Sequence, residues 1–217
     1  MKMKKTIEQL YEHKIIAIIR GVKLTQMASL ADALLKGGIC CMEVTFDNCS
    51  ERGQQETLES IHILKRTFDS QVVLGAGTVL TEKQVCDAQN AGASFIISPN
   101  VSKEVITKTK ELGMVSIPGA MTPSEVVAAH GFGADIVKLF PAGMFGVSYL
   151  KAVRGPLRHI PMMAVGGINP DNIAEFLEAG ACGVGIGGNL VNLKYIKDDR
   201  YDLISAEAKR FSDAIKI

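Results

Sequence analysis

Apolar residues gather into short runs along the chain, and each run is followed by a stretch in which apolar and polar positions alternate at helical spacing. Eight runs stand out, at residues 15–20, 41–46, 72–79, 95–99, 114–118, 135–141, 161–168 and 182–188. A strand with one wet face would alternate apolar and polar residues. Near-continuous apolar strands separated by helices instead predict parallel sheet covered on both faces. The helical signal between the runs is explicit. Residues 24–36 are apolar at Leu24, Met27, Ala28, Leu30, Ala31, Leu34 and Leu35, which gathers those side chains onto one stripe. The tail, 198–217, predicts a final amphipathic helix. Eight strand–helix units in 217 residues fit an α/β fold of the single (β/α)8 barrel type, one domain over 1–217, better than an open sheet.

Punctuation supports those boundaries. Gly37-Gly38, Ala91-Gly92, Gly113 and Ala179-Gly180 fall where helices should end, at the position where glycine relieves the left-handed cap. Thr81 with Gln84 and Thr122 with Glu125 have capping-box spacing, and Asn169-Pro170 predicts a third helix start. No linker or low-complexity tract interrupts the pattern.

Composition narrows the function classes. Apolar residues make up 47% and charged residues 22%, with a net charge of +1, an ordinary globular balance with no electrostatic footprint for nucleic acid or an anionic membrane. No apolar stretch reaches the length of a membrane span. The basic start, Met-Lys-Met-Lys-Lys, is followed by Glu8, Glu12, His13 and Lys14 in place of an apolar segment, so it does not read as a secretory signal. The five cysteines (Cys40, Cys41, Cys49, Cys86 and Cys182) form no CxxC pair, which predicts reduced thiols and a cytoplasmic protein. The four histidines are scattered without HxH or HExxH spacing, and no metal site is expected.

Against this background Lys138 is conspicuous, a cation inside the apolar run at 135–141. Lysine is rarely buried unless paired or used. Desolvation favours its neutral amine, which condenses with carbonyls to form a Schiff base. At a barrel's C-terminal face, where active sites lie, the polar candidates are Arg20, Glu43 with Thr45 and Asp47, Thr78, Ser98 and Lys138. Strand alternation puts Glu43, Thr45 and Asp47 on one face, and Ile136, Lys138 and Phe140 on another. If both faces point inward, Glu43 and Lys138 meet at the mouth. A strand-end lysine reaching for solvent, or a plain buried ion pair, would also account for Lys138. Two glycine clusters, Val165-Gly-Gly-Ile at 165–168 and Gly-Ile-Gly-Gly-Asn at 185–189, follow the last two strands, where barrels commonly hold a phosphate on backbone N–H groups.

The order of short motifs adds more. Lys-Leu-Phe-Pro-Ala at 138–142, Glu-Val-Thr at 43–45, Gly-Ala-Gly-Thr-Val at 75–79, Ile-Ser-Pro at 97–99 and Pro-Gly-Ala-Met-Thr-Pro at 118–123 resemble the 2-keto-3-deoxy-6-phosphogluconate/4-hydroxy-2-oxoglutarate aldolases along essentially the whole chain. The resemblance implies a class I aldolase on a (β/α)8 barrel, a homotrimer acting on a small keto-acid phosphate, with no cofactor and no metal. By the same resemblance Lys138 forms the Schiff base and Glu43 shuttles protons. Thr78, Pro99 and Phe140 line the pyruvate pocket, and Arg20 lies near the carboxylate. Gly166, Gly167, Gly187 and Gly188, with Asn189 in place of the usual serine, hold the phosphate. Two departures bear on the substrate. Asp47 stands where some members carry a carboxylate-binding arginine, and Val165 replaces the threonine many place before the first Gly-Gly pair. The expected reaction yields pyruvate with glyceraldehyde 3-phosphate or glyoxylate, and an aldolase for the phosphogalactonate epimer is the alternative. A phosphosugar isomerase or epimerase, or a barrel that binds without turnover, are more distant readings.

Overall fold

Every apolar run contains a β-strand in the computed structural model, which describes residues 2–215. The strands are β1 (Ile15–Ile19), β2 (Cys41–Thr45), β3 (Val73–Gly77), β4 (Phe95–Ile97), β5 (Val115–Ile117), β6 (Gly119–Ala120), β7 (Val137–Leu139), β8 (Met162–Val165) and β9 (Gly183–Ile186). All pairings are parallel, in the order β5-β4-β3-β2-β1-β9-β8-β7-β6. β5 and β6 are one strand interrupted at Pro118, which has no N–H to give a ladder. β5 pairs with β4 and β6 with β7, so the interrupted strand closes the ring. The result is a parallel barrel inside a layer of helices, as the alternating pattern predicts.

The helices are α1 (Lys2–His13), α2 (Met27–Lys36), α3 (Glu51–Phe68), α4 (Glu82–Ala91), α5 (Lys103–Glu111), α6 (Pro123–Gly131), α7 (Ala142–Arg154), α8 (Ile173–Glu178), α9 (Leu193–Lys197) and α10 (Tyr201–Ala214). Strand alternation divides the core into two. Ile16, Cys41, Phe95, Ile117 and Met163 belong to an inner cluster that fills the barrel, while Ala17, Met42, Leu74 and Ile96 pack outward with the helices. Fully burying one large side chain of this kind contributes about 1.5–3 kcal/mol.

Several local expectations change. α1, which the strand–helix alternation does not announce, sets Leu10, Ile7 and Met3 on one face and packs them on the inner cluster. It touches β3, β5 and β9 and so closes the end of the barrel opposite the strand C-termini. Residues 24–26 form a 3₁₀ turn ahead of α2. Asn169-Pro170 opens a turn instead of a helix, because Asn169 Oδ1 accepts the amides of Asp171 and Asn172, and α8 starts only at Ile173. The tail is split: Asp198 caps α9 and α10 starts at Tyr201, while residues 216–217 lie outside the described part. Capping by Thr81 and the Thr122–Glu125 box form as the spacing predicts. Gly38, Gly92, Gly113 and Gly180 adopt positive φ after their helices.

Candidate active site

Alternation along β7 turns Val137 and Leu139 outward to the helix layer, while Ile136 belongs to the inner cluster. Lys138 therefore faces inward. On β2, Cys41 is interior and Glu43 follows it two residues later. Both charged side chains line one cavity of about 770 Å³ at the C-terminal ends of the strands. Arg20, Thr78, Pro99, Phe140, Gly166, Gly167, Gly187, Gly188 and Asn189 line the same cavity. The structure thus gathers residues from seven strand ends into one place. Thr45, Asp47 and Ser98 do not belong to it. The Thr45 hydroxyl donates to the Ile19 carbonyl, and Ser98 is buried outside the cavity lining. Ile18, Gly21, Val165, Val191 and Leu193 also line the cavity. Of these only Val165 stands out in the sequence, as a departure, because apolar rim positions look like any other apolar residue.

Glu43 is 2% exposed and Lys138 9%, yet no ion pair within 4.0 Å joins them, and Glu43 Oε2 is buried without a hydrogen-bond partner. The simple ion-pair reading therefore fails, and so does the solvent-seeking lysine. Burial pushes the Glu43 carboxyl above its usual range, with Lys138 and then Arg20 pulling it back. Burial pushes Lys138 below the usual lysine range, opposed by Glu43 and reinforced by Arg20. Each shift favours the neutral form of its group, the state in which an amine is a nucleophile and a carboxyl can give as well as take a proton. The Phe140 ring centroid lies 4.9 Å from Lys138 Nζ. Glu43 also depends on Gly77. A Cβ built there would fall 1.5 Å from Glu43 Oε1, so only a residue without a side chain leaves the carboxylate its place.

Arg20, after β1, donates to the Thr78 hydroxyl, after β3, at 3.4 Å. Asp47 is turned away. Its Oδ1 accepts the Cys49 amide at 2.9 Å, and its side chain lies against Gly53 in a separate cavity of about 190 Å³ between β1, β2, α2 and α3. The shared face expected for Glu43 and Asp47 ends with the strand at Thr45, because the Asx turn redirects the chain. Asp47 therefore places no charge in the active cavity.

After β8, Gly166 and Gly167 have φ of 90° and 77°, a consecutive left-handed pair suited to glycine. The backbone N–H groups of Gly167, Gly188 and Asn189 donate to no main-chain acceptor among the described residues, which leaves donors for an anion. The Asn189 side-chain amide donates to the Ile168 carbonyl at 2.7 Å and ties the two glycine loops together. Among the described residues no group of three or more His, Cys, Asp or Glu is placed to hold a metal ion, and no helix is long and apolar enough to cross a membrane.

A parallel barrel whose cavity is lined by a buried lysine, a buried carboxyl and two glycine loops has the arrangement of a Schiff-base lyase. Comparison with known proteins gives the family. The family model for KDPG and KHG aldolase matches residues 6–207. The 2-dehydro-3-deoxy-6-phosphogalactonate aldolase of Escherichia coli K12 is 30% identical, over 93% of this chain and 96% of its own length. A solved native KDPGal structure superposes with a TM-score of 0.83 at 30% identity, covering 92% of this chain and 93% of the other. KDPG aldolase from Legionella pneumophila, solved with pyruvate captured as a covalent carbinolamine intermediate, gives a TM-score of 0.82 at 32% identity, covering 91% and 93%. The chain belongs to the KDPG and KHG aldolase family and is a class I aldolase, a carbon–carbon lyase.

Proposed function

We propose that the chain cleaves 2-dehydro-3-deoxy-6-phosphogalactonate to pyruvate and glyceraldehyde 3-phosphate through an imine on Lys138. The observation that carries the chemistry is the unpaired burial of Lys138 and Glu43 on one cavity. The neutral amine adds to the C2 carbonyl, and Glu43 moves protons as the carbinolamine loses water. The protonated imine is the electron sink. Glu43 takes the C4 hydroxyl proton, the C3–C4 bond breaks, and its electrons pass to the imine nitrogen to give an enamine while the aldehyde departs. Protonation of the enamine carbon and hydrolysis of the imine release pyruvate. Positioned proton transfer contributes roughly 10²–10⁴-fold, so the covalent step supplies much of the remainder.

Arg20 and Thr78 receive the carboxylate, Pro99 and Phe140 wall the pyruvate portion, and Gly166, Gly167, Gly187, Gly188 and Asn189 hold the phosphate. Val165, just before Gly166, lines the same cavity as Lys138. Its methyls offer no donor to a substrate hydroxyl. This, with the similarity to the phosphogalactonate enzyme, moves the galactonate substrate ahead of the gluconate and hydroxyglutarate substrates. The proposal also includes a homotrimer. Met144 is 82% exposed, and beside it Phe145 meets Tyr149, whose hydroxyl reaches the Met121 carbonyl. An exposed apolar patch of this kind marks an association surface.

Borohydride with pyruvate should leave an adduct on Lys138 in the mass spectrum, and Lys138→Ala should lose both adduct and cleavage. No adduct on active protein would refute the imine. In a pyruvate-release assay over the phosphogalactonate, phosphogluconate and hydroxyglutarate substrates, the galactonate epimer should give the highest kcat/KM. Faster gluconate turnover would reverse the choice of substrate.

A further inference from the structure

One buried polar side chain that does not line the cavity is connected to it by a continuous set of hydrogen bonds. Gln84 stands in the first turn of α4 and is buried. Its Oε1 accepts the Leu80 amide at 2.8 Å, and its Nε2 donates to Asn48 Oδ1 at 2.5 Å. Asn48 Nδ2 in turn donates to the Thr78 carbonyl at 3.0 Å. Both ends of the Gln84 amide are therefore spent on the chain around Thr78. The preceding residue, Asp47, is engaged elsewhere, on the Cys49 amide.

Thr78 needs such support. Its φ of 55° lies in the left-handed region, which a β-branched residue rarely adopts, and strained residues of this kind persist where their surroundings over-determine them. Asn48 holds the Thr78 carbonyl, and Gln84 holds the amide two residues further on. What this conformation achieves is at the cavity wall, where the Thr78 hydroxyl accepts from Arg20 at 3.4 Å.

We propose that Gln84 and Asn48 form a positioning pair that fixes Thr78, and through it Arg20, at the carboxylate end of the substrate. Neither residue lines the cavity, and both act through Thr78. The inference rests on the reading that Arg20 and Thr78 receive the carboxylate. If it holds, loosening the pair weakens recognition of a carboxylate more than recognition of an uncharged carbonyl.

The test compares imine trapping with pyruvate and with pyruvamide, its uncharged isostere. Asn48→Ala removes an exposed side chain and leaves the core intact. Gln84→Glu keeps volume and the acceptor for Leu80 but loses the donor to Asn48. In each variant the preference for pyruvate, measured as the ratio of half-saturating concentrations, should fall about tenfold, the size of one displaced hydrogen bond to a charged group. A general loosening would weaken both probes in parallel and leave the ratio unchanged. An unchanged ratio in folded Asn48→Ala overturns the proposal. Arg20→Met separates the two levels. If it leaves the ratio unchanged, the carboxylate reading itself fails. If it lowers the ratio and the pair variants do not, only the positioning role fails.

Discussion

Lys138 and Glu43 shift each other's protonation, and Arg20 acts on both. Glu43 is the neighbour that holds the proton on Lys138, whereas Arg20 and burial drive it off. Imine formation needs the neutral amine, whose fraction grows as pH rises through the lysine's pKa. Glu43→Gln removes the carboxylate and lets the Lys138 pKa fall further, so the midpoint of imine formation with pH should move down. Arg20→Met removes a positive neighbour, so the midpoint should move up. The pH dependence of the trapping rate checks both, and movement in the same direction for the two variants would contradict this electrostatic arrangement. Charges in an apolar run are visible in a sequence because burial makes them expensive, which is why Lys138 and Glu43 were legible. Gln84 and Asn48 were not legible as a pair. Amide side chains in loops and helix starts are common, and only the folded turn brings these two together.

At the scale of elements, the β2–β3 pairing sets the carboxylate. Thr45 is opposite Gly77 in the register, and the missing side chain at Gly77 leaves room for Glu43 from the same neighbouring strand. Gly77→Ala puts a methyl where Glu43 Oε1 lies. A displacement of about 1 Å at a catalytic group costs on the order of 10²-fold, so kcat should fall by about that factor while the far-ultraviolet circular dichroism stays that of the parent. Unchanged turnover would mean that Glu43 is tolerant of its position. The strands were readable because each apolar run is long enough to cross the barrel wall. Their ends were less so. The turn after Thr45 is set by the Cys49 amide and by Gly53, local contacts that periodicity does not encode, and they send Asp47 away from the face on which alternation puts it. α1 is not evident in the sequence because its charges (Lys4, Lys5, Glu8, Glu12) mask a sparse apolar stripe.

For the whole molecule, the exposed patch around Met144 and Phe145 gives the proposed trimer its test. Phe145→Glu would bury a charge at the contact, so sedimentation velocity should show a three-chain particle for the parent and single chains for the variant. A monomeric parent would remove the proposal. The barrel itself was legible from eight repeating units, but its seam was not, since the apolar run at 114–118 stops before the two-residue β6, Gly119–Ala120. Closure has a further consequence in time. β1 pairs with β2 on one side and with β9 on the other, so its second partner is synthesised some 160 residues later and the ring stays open on the ribosome until then. During that interval the Ile-Ile-Ala-Ile-Ile segment of β1 presents a bare β-branched edge, the type of surface that recruits other chains. The nascent protein is therefore most exposed to aggregation at its first strand, and that exposure ends only when its last strand emerges.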